Sequence, residues 1–494
     1  MIKSNSAFLL ILVVSGFLLY LPAITAGFLY DDFTVIVDNS VFKSGNFLKA
    51  ITEIGKSGIR QDMFRPLAMA SYYLNYRFND LHSSGYRIFN LLIGIINAYL
   101  LYLVLRVIFP GLDRKIAQVA VLWFLLLPLN NQALIYITAR FTLLFSLFFL
   151  LGFYFYIKNR PFISAICFLL GLMCKEEMLI FPLILGIYEL SSTRNFRYYF
   201  RTLIIISGAG ILFLIMRFLG EGLWGWDRSY VSFYWKFLLS QMGFFIYNWK
   251  AGVSSPVVMH DLRALNFSFL YPFILLCIIL GIYLVWKRQK LGILFLYPWI
   301  LIAGFSCFLN GPHRAMEYRF YLANILYAII FVTIIKKVTR KWRWWIGTVF
   351  IILSLWFSFF RVVEYRDNLV LWANTVKKYP RLPEAHVNYG RELTFKGLYK
   401  PAVAEFEKAI KLAPWDYFAF YNLGLTYAYM EDYHKAREAF LKTIHIAPSY
   451  APGHYNLGLT YLILGDKIKA QEEFAKAREL GWTVKVPEIK DGKN

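Results

Sequence analysis

Cysteine is scarce in this chain of 494 residues. Cys167, Cys174, Cys277 and Cys307 fall in or beside apolar segments, with no CxxC pair and no zinc spacing. That excludes a disulfide scaffold and a thiolate metal site, and reads the four as core residues. Charge is scarce as well: 17% of residues are charged against 59% hydrophobic. Such a chain carries more apolar surface than a single soluble core can hide, so it needs lipid as a solvent. Acid is scarcest, with 30 acidic residues to 53 basic, a net charge of +23. The excess of Lys and Arg gathers at the ends of apolar runs, which points to anionic lipid and cytoplasmic loops rather than to a nucleic-acid partner. No glycine-rich phosphate loop, HExxH run or Ser-His-Asp signal is present, which argues against nucleotide-driven chemistry.

What is abundant is apolar sequence in runs that match a hydrocarbon layer of ~30 Å. The sequence predicts about eleven spanning helices, near 8–29, 88–109, 115–132, 141–158, 161–174, 177–191, 200–219, 267–286, 291–309, 320–336 and 343–360. The first is expected to remain uncleaved, since its apolar stretch exceeds a typical signal-peptide core. The segment 233–249, interrupted by Lys236 and Gln241, reads as an interfacial helix in a long loop. Arg114 and Lys115, Lys158 and Arg160, the run from Arg194 to Arg201, Lys287 to Lys290, and Lys336 to Arg343 fall in alternate loops. The positive-inside rule places those loops in the cytoplasm and the C-terminal tail on the opposite face.

The tail repeats with a period of 34: Pro380, Pro414 and Pro448; Asn388, Asn422 and Asn456; Gly390, Gly424 and Gly458; Ala402, Ala436 and Ala470; Phe406, Phe440 and Phe474. That is the tetratricopeptide period, in which Gly permits close helix packing, Ala and Phe fill the seam and Pro ends the second helix. The expected fold class is therefore all-α: a polytopic membrane domain over 1–363 with an outer loop at 30–86, a connecting helix at 364–379, three repeats over 380–485 (about 380–413, 414–447 and 448–481), and a tail at 486–494. Such arrays hold extended peptides on a concave face, and the competing reading is a structural or oligomerising cap.

The chemistry-bearing residues fall on the outer side. Asp31 and Asp32 sit at the membrane boundary just past the first helix, where an acid is costly and functional by default. If the chain is extended there, only one of the two faces a reaction centre. A carboxylate at that place can take a proton from an acceptor hydroxyl while a sugar loses a lipid phosphate from its opposite face, which requires a single base. The phosphate needs cations, and Arg65, Arg140, Lys175, His313, Arg314 and Arg319 all map to outer loops or outer helix ends. Glu176, Glu177 and Glu317 are placed to pair with or orient these cations; the alternative is that carboxylates hold a divalent cation, although no set of ligands with metal spacing is visible. Trp224 and Trp226 are candidates to line a sugar or lipid pocket.

These residues resemble the transmembrane and tetratricopeptide-repeat O-mannosyltransferases, members of the glycosyltransferase C superfamily. The resemblance covers nearly the whole chain. It rests on Phe28-Leu29-Tyr30-Asp31-Asp32 followed by Asn39-Ser40-Val41, on Phe64-Arg65-Pro66-Leu67 leading to Asn75-Tyr76, on Gly85-Tyr86-Arg87-Ile88-Phe89-Asn90, on Lys175-Glu176, on Glu317-Tyr318-Arg319-Phe320-Tyr321-Leu322, and on Trp372 ahead of the repeats. It implies Asp31 and Asp32 as the catalytic site, a polyprenyl-phosphate monosaccharide as donor, a protein acceptor, and repeats on the non-cytoplasmic side. Tyr321 is then a supporting residue. Where the family often has His-Pro and Glu-Ala-Val, this chain has Leu127-Pro128 and Gln132-Ala133-Leu134, and Ala139 replaces the Gly before the matching Arg. These departures, with the short array, bear on acceptor and sugar.

The expectation is an inverting transferase of mannose from a polyprenyl phosphate to protein hydroxyls, in a bacterial inner membrane with its loops and repeats outside. The alternatives are transfer to a lipid or cell-envelope glycan, and a non-catalytic membrane scaffold whose repeats recruit proteins.

Overall fold

Apolar runs fold as helices packed side by side, and the 34-residue units fold as helix pairs. The computed structural model describes residues 2–29, 31–37, 65–192, 195–221, 270–287, 296–302 and 317–480, and singly or in pairs 39, 42, 45, 47, 242, 245, 260–261, 292, 314–315 and 482. The expected interfacial segment 233–249 lies outside these residues apart from Met242 and Phe245, and Trp224, Trp226 and Cys307 lie outside them entirely. The chain divides into two compact units. The first comprises 1–37, 50–52 and 64–367; the second comprises 38–49, 53–63 and 368–494. The outer loop expected to belong wholly to the membrane domain is thus shared between them, and its Asn39 and Phe42 are buried.

The first unit contains α1 (Ile2–Ile24), α2 (Pro66–Asn79), α3 (Ser83–Ile108), α4 (Arg114–Leu126), the short α5 (Asn131–Ile135), α6 (Arg140–Ile157), α7 (Pro161–Leu172), α8 (Phe181–Ser191), α9 (Phe196–Glu221), α10 (Tyr271–Trp286), α11 (Ile325–Lys337) and α12 (Arg340–Glu364). Five described helices are long and apolar enough to cross a membrane, and Pro161–Leu172 and Tyr271–Trp286 are shorter apolar helices. A two-residue antiparallel bridge pairs His260 with Ala315 and Asp261 with Arg314.

The span expected over 115–132 is broken. Pro128 has no N–H with which to continue α4, and the chain bends by 53° before α5. Every residue from Trp123 to Ser146 is buried, so the irregular stretch 127–139 has no water to satisfy it. Irregular backbone survives at such depth only where protein groups bond it. Ser358 Oγ donates to Leu126 O at 2.7 Å, Arg361 Nη1 to Pro128 O at 3.0 Å, and Asn130 Nδ2 to Phe124 O at 2.7 Å. Tyr20 Oη lies 3.3 Å from Leu125 O and 2.9 Å from Asn131 Oδ1. Asn324 Nδ2 donates to Asn130 Oδ1 at 2.8 Å. Tyr321, expected to support the site, packs its ring against Phe124 beside this break, with centroids 5.4 Å apart.

The second unit begins with α13 (Asn368–Lys378). It continues with the pairs α14 (Pro383–Phe395) and α15 (Tyr399–Leu412), α16 (Tyr417–Tyr429) and α17 (Tyr433–Ile446), and α18 (Ala451–Ile463) and α19 (Lys467–Glu479). The period is written into the packing. A Cβ at Gly390, Gly424 or Gly458 would come within 2.8, 2.7 and 2.7 Å of the rings of Phe406, Phe440 and Phe474. Ala402, Ala436 and Ala470 are fully buried in the same seams. Asp416, Asp432 and Asp466 cap α16, α17 and α19 by accepting from Phe418, Lys435 and Lys469 N–H, as helix starts require.

Candidate active site

The chain leaves α1 at Ile24 and reaches the two acids through Ala26-Gly27-Phe28-Leu29, a stretch with no regular structure. It is held from outside. Arg87 of α3 donates to the carbonyls of Ala26, Gly27 and Ile135, and Ser83 Oγ donates to Ala26 O at 2.6 Å. Asp31 and Asp32 then lie in a helical turn, not in the extended chain considered above. The turn still separates them. Asp32 is fully buried, and its oxygens accept from Leu29 N–H at 3.0 Å and Thr138 N–H at 2.9 Å. Burial pushes the Asp32 carboxyl up to about 6, against the pull of the Arg87 guanidinium and of the two N–H groups. Asp31 is half-buried, and its N–H donates to the hydroxyl of fully buried Tyr136 at 3.0 Å. Of the pair, Asp32 ties the loop to the irregular stretch 127–139 and Asp31 is the more open.

The first turn of α6 organises the cations. Arg140 is fully buried: its guanidinium donates to Asn90 Oδ1 at 2.8 Å, Ser71 O at 3.1 Å and Tyr86 O at 2.9 Å, and lies 4.5 Å from the Tyr72 ring centroid and 4.7 Å from that of Phe89. Such enclosure makes it a brace between α2, α3 and α6. The ring of the next residue, Phe141, carries the Arg65 guanidinium at 4.9 Å. Thr142 Oγ1 accepts from Lys175 Nζ at 3.2 Å.

Arg65 and Lys175 are each held by an acid. Glu176 takes Nε and Nη2 of Arg65 at 3.2 and 2.9 Å, and Glu177 pairs with Lys175 at 2.8 Å. The positive charges of Arg65 and Arg319 both bear on Lys175, so three of the expected cations share one neighbourhood. Leu67 N–H donates to Met173 O at 3.2 Å and fixes the start of α2 to the turn that carries Lys175. Among the described residues no three of His, Cys, Asp and Glu gather as metal ligands would. His313 lies outside the described residues, and of Arg314 and Glu317 only the backbone is described.

Sequence reasoning quoted Arg87 and Asn90 within a motif but gave them no role, and Tyr136 was not singled out. Asn90 Nδ2 donates to the carbonyls of Tyr136 and Ile137, each at 3.1 Å, and Tyr72 Oη donates to Ile137 O at 3.0 Å. A buried Arg and Asn three residues apart on an apolar helix were the available signal.

The repeats match the family model described as tetratricopeptide repeat over residues 383–414, 419–450 and 451–480. A protein O-mannosyl-transferase of Caenorhabditis elegans is 23% identical over 446 residues, 82% of this chain and 63% of its own length. One of Mus musculus is 26% identical over 34% of this chain and 20% of its own, and one of Drosophila melanogaster is 27% identical over 36% and 22%. The chain therefore spans less than two thirds of the length of these relatives. These matches make the chain similar to proteins named protein O-mannosyl-transferase, and its tail carries three tetratricopeptide repeats.

Proposed function

We propose that the protein transfers mannose from a polyprenyl-phosphate donor to a hydroxyl of a protein acceptor on the non-cytoplasmic face of its membrane, with inversion. The acceptor oxygen attacks the anomeric carbon as the bond to the phosphate oxygen breaks. The hydroxyl proton passes to Asp31, and the polyprenyl phosphate leaves with its charge met by Arg65, Lys175 and Arg319. His313, Arg314 and Glu317 belong to the same outer segment as Arg319 and complete the phosphate side in this reading. Glu176 and Glu177 hold the cations in place, Asp32 and Arg140 act through the loops they brace, and the repeats hold the acceptor.

The observation that carries this reading is the difference between the two acids. Asp32 has both oxygens on backbone N–H groups, while the loop it fixes presents the half-buried Asp31. The names of the relatives support mannose and protein as the transferred group and the acceptor.

The test is transfer by the purified protein in lipid from labelled polyprenyl-phosphate mannose to secreted proteins. Asp31→Asn is expected to lower the rate about a thousandfold, the scale of a lost general base, without lowering thermal stability. Label on lipid or glycan alone would move the assignment to envelope chemistry. Absence of label with every sugar donor would leave the repeats as a scaffold.

A further inference from the structure

The last residues of α14, α16 and α18 are Phe395, Tyr429 and Ile463. They stand one repeat apart and are 58%, 57% and 57% exposed, so each repeat spends the same position on a large apolar side chain facing out. Leu398 and Ile468, in the adjoining turns, are exposed as well, and the ring of Tyr399 stacks on Tyr429 at 6.2 Å between centroids. Around them lie the exposed Lys396, Lys400, Lys435, Lys467 and Lys469, against Glu431, Asp432 and Asp466. Lys435 and Lys469 reach across to Asp432 and Asp466 at 3.0 and 2.9 Å, and the edge keeps a positive balance. A row of scattered apolar residues would need no explanation, but a periodic one bordered by lysines does.

The position of this edge in the chain says what it meets. α13 forms a hairpin with α14, so the start of α13 lies on the edge where α14 ends. That start, Asn368, comes four residues after the end of the apolar helix α12 at Glu364. The edge carrying Phe395, Tyr429 and Ile463 is therefore the one at which the chain enters the array. We infer that this turn edge of the repeat array is a lipid-binding surface, resting on the anionic headgroups of the membrane that holds α12. Tyr and Phe seat at headgroup level, Ile and Leu reach the acyl boundary, and the lysines meet lipid phosphates. The opposite edge differs: Trp415, 74% exposed between α15 and α16, lies about 20 Å away along helices of 13 residues. The inference is independent of sugar transfer.

Hydrogen exchange of the full-length protein tests it, in nanodiscs containing phosphatidylglycerol and in discs of phosphatidylcholine alone. Amides in 395–400, 429–435 and 463–469 are expected to exchange about tenfold more slowly in the anionic discs, with the protection lost at high salt and no change near Trp415. Combining Phe395→Ser, Tyr429→Ser and Ile463→Ser removes the protection, and Trp415→Ser leaves it. Equal exchange in both discs would overturn the inference. So would protection that depends on protein concentration, which would identify a second copy, or protection that needs added acceptor protein.

Discussion

The two units satisfy their buried polar groups in opposite ways. In the repeats many of the bonds are local and periodic: Asn388, Asn422 and Asn456 each donate to the carbonyl four residues back, at 2.6, 2.7 and 2.9 Å. In the membrane unit they are distant and aperiodic, as when Asn131 meets Ser358 O, Arg87 meets Ile135 O or Asp32 meets Thr138 N–H. A local bond forms with its helix and is repeated by copying the unit. A distant bond exists only when the whole bundle is assembled, and it leaves no period behind. In the membrane unit many such distant bonds converge on the stretch 127–139.

Breaking single contacts sharpens that contrast. The largest effect is expected from Asp32→Ala, which strands the N–H groups of Leu29 and Thr138 in the interior and should cost about 3 kcal/mol. Thermal unfolding of the solubilised protein reads it, and an unchanged midpoint would deny the loop its bracing role. Gly424→Ala comes next, at about 2 kcal/mol, because its Cβ meets the Phe440 ring at 2.7 Å. That loss should appear as faster hydrogen exchange in α16 and α17 and leave α6 untouched. Ser358→Ala exposes the carbonyl of Leu126 to an apolar interior for about 1 kcal/mol, and its exchange effect should reach α4 and α12 together.

The smallest effect concerns two histidines. His386 and His454 each place one ring nitrogen 2.6 Å from a carboxylate, Glu405 or Glu473, and the other 2.9 Å from a proline carbonyl. The middle repeat has Phe420 and Ala439 at those positions. The hydrogen bond to Glu473 holds His454 above its ordinary value of 6.5. Its contribution to stability is complete below that value and is lost as the pH rises through the folded one. Melting of the array should fall slightly as the pH rises past the ordinary histidine value, and His454→Phe with Glu473→Ala, which copies the middle repeat, should flatten that part of the dependence.

The array was legible because its determinants are repeated: one Gly facing one Phe is weak, and three such pairs in phase are not. The all-α reading and the place of the acids followed from apolar runs and their edges. Which of Asp31 and Asp32 is buried did not follow, because it depends on where Thr138 N–H arrives from more than a hundred residues away. The enclosure of Arg140 was hidden for a related reason: Asn90, Ser71 and the rings of Tyr72 and Phe89 reach it from other helices. Leu127-Pro128 was noted as a departure in composition, while its main consequence is to the backbone, where the missing N–H breaks a span.

The bend at Pro128 also imposes an order on biogenesis. The carbonyls of Leu126 and Pro128 emerge from the ribosome 232 and 233 residues before Ser358 and Arg361, the groups that bond them. At synthesis rates of roughly 5 to 20 residues per second, the newborn chain waits roughly ten to fifty seconds for its last partners. During that interval the stretch around Pro128 cannot rest in bare hydrocarbon, so it must stay against the insertion machinery, water or other helices until α12 enters and releases it.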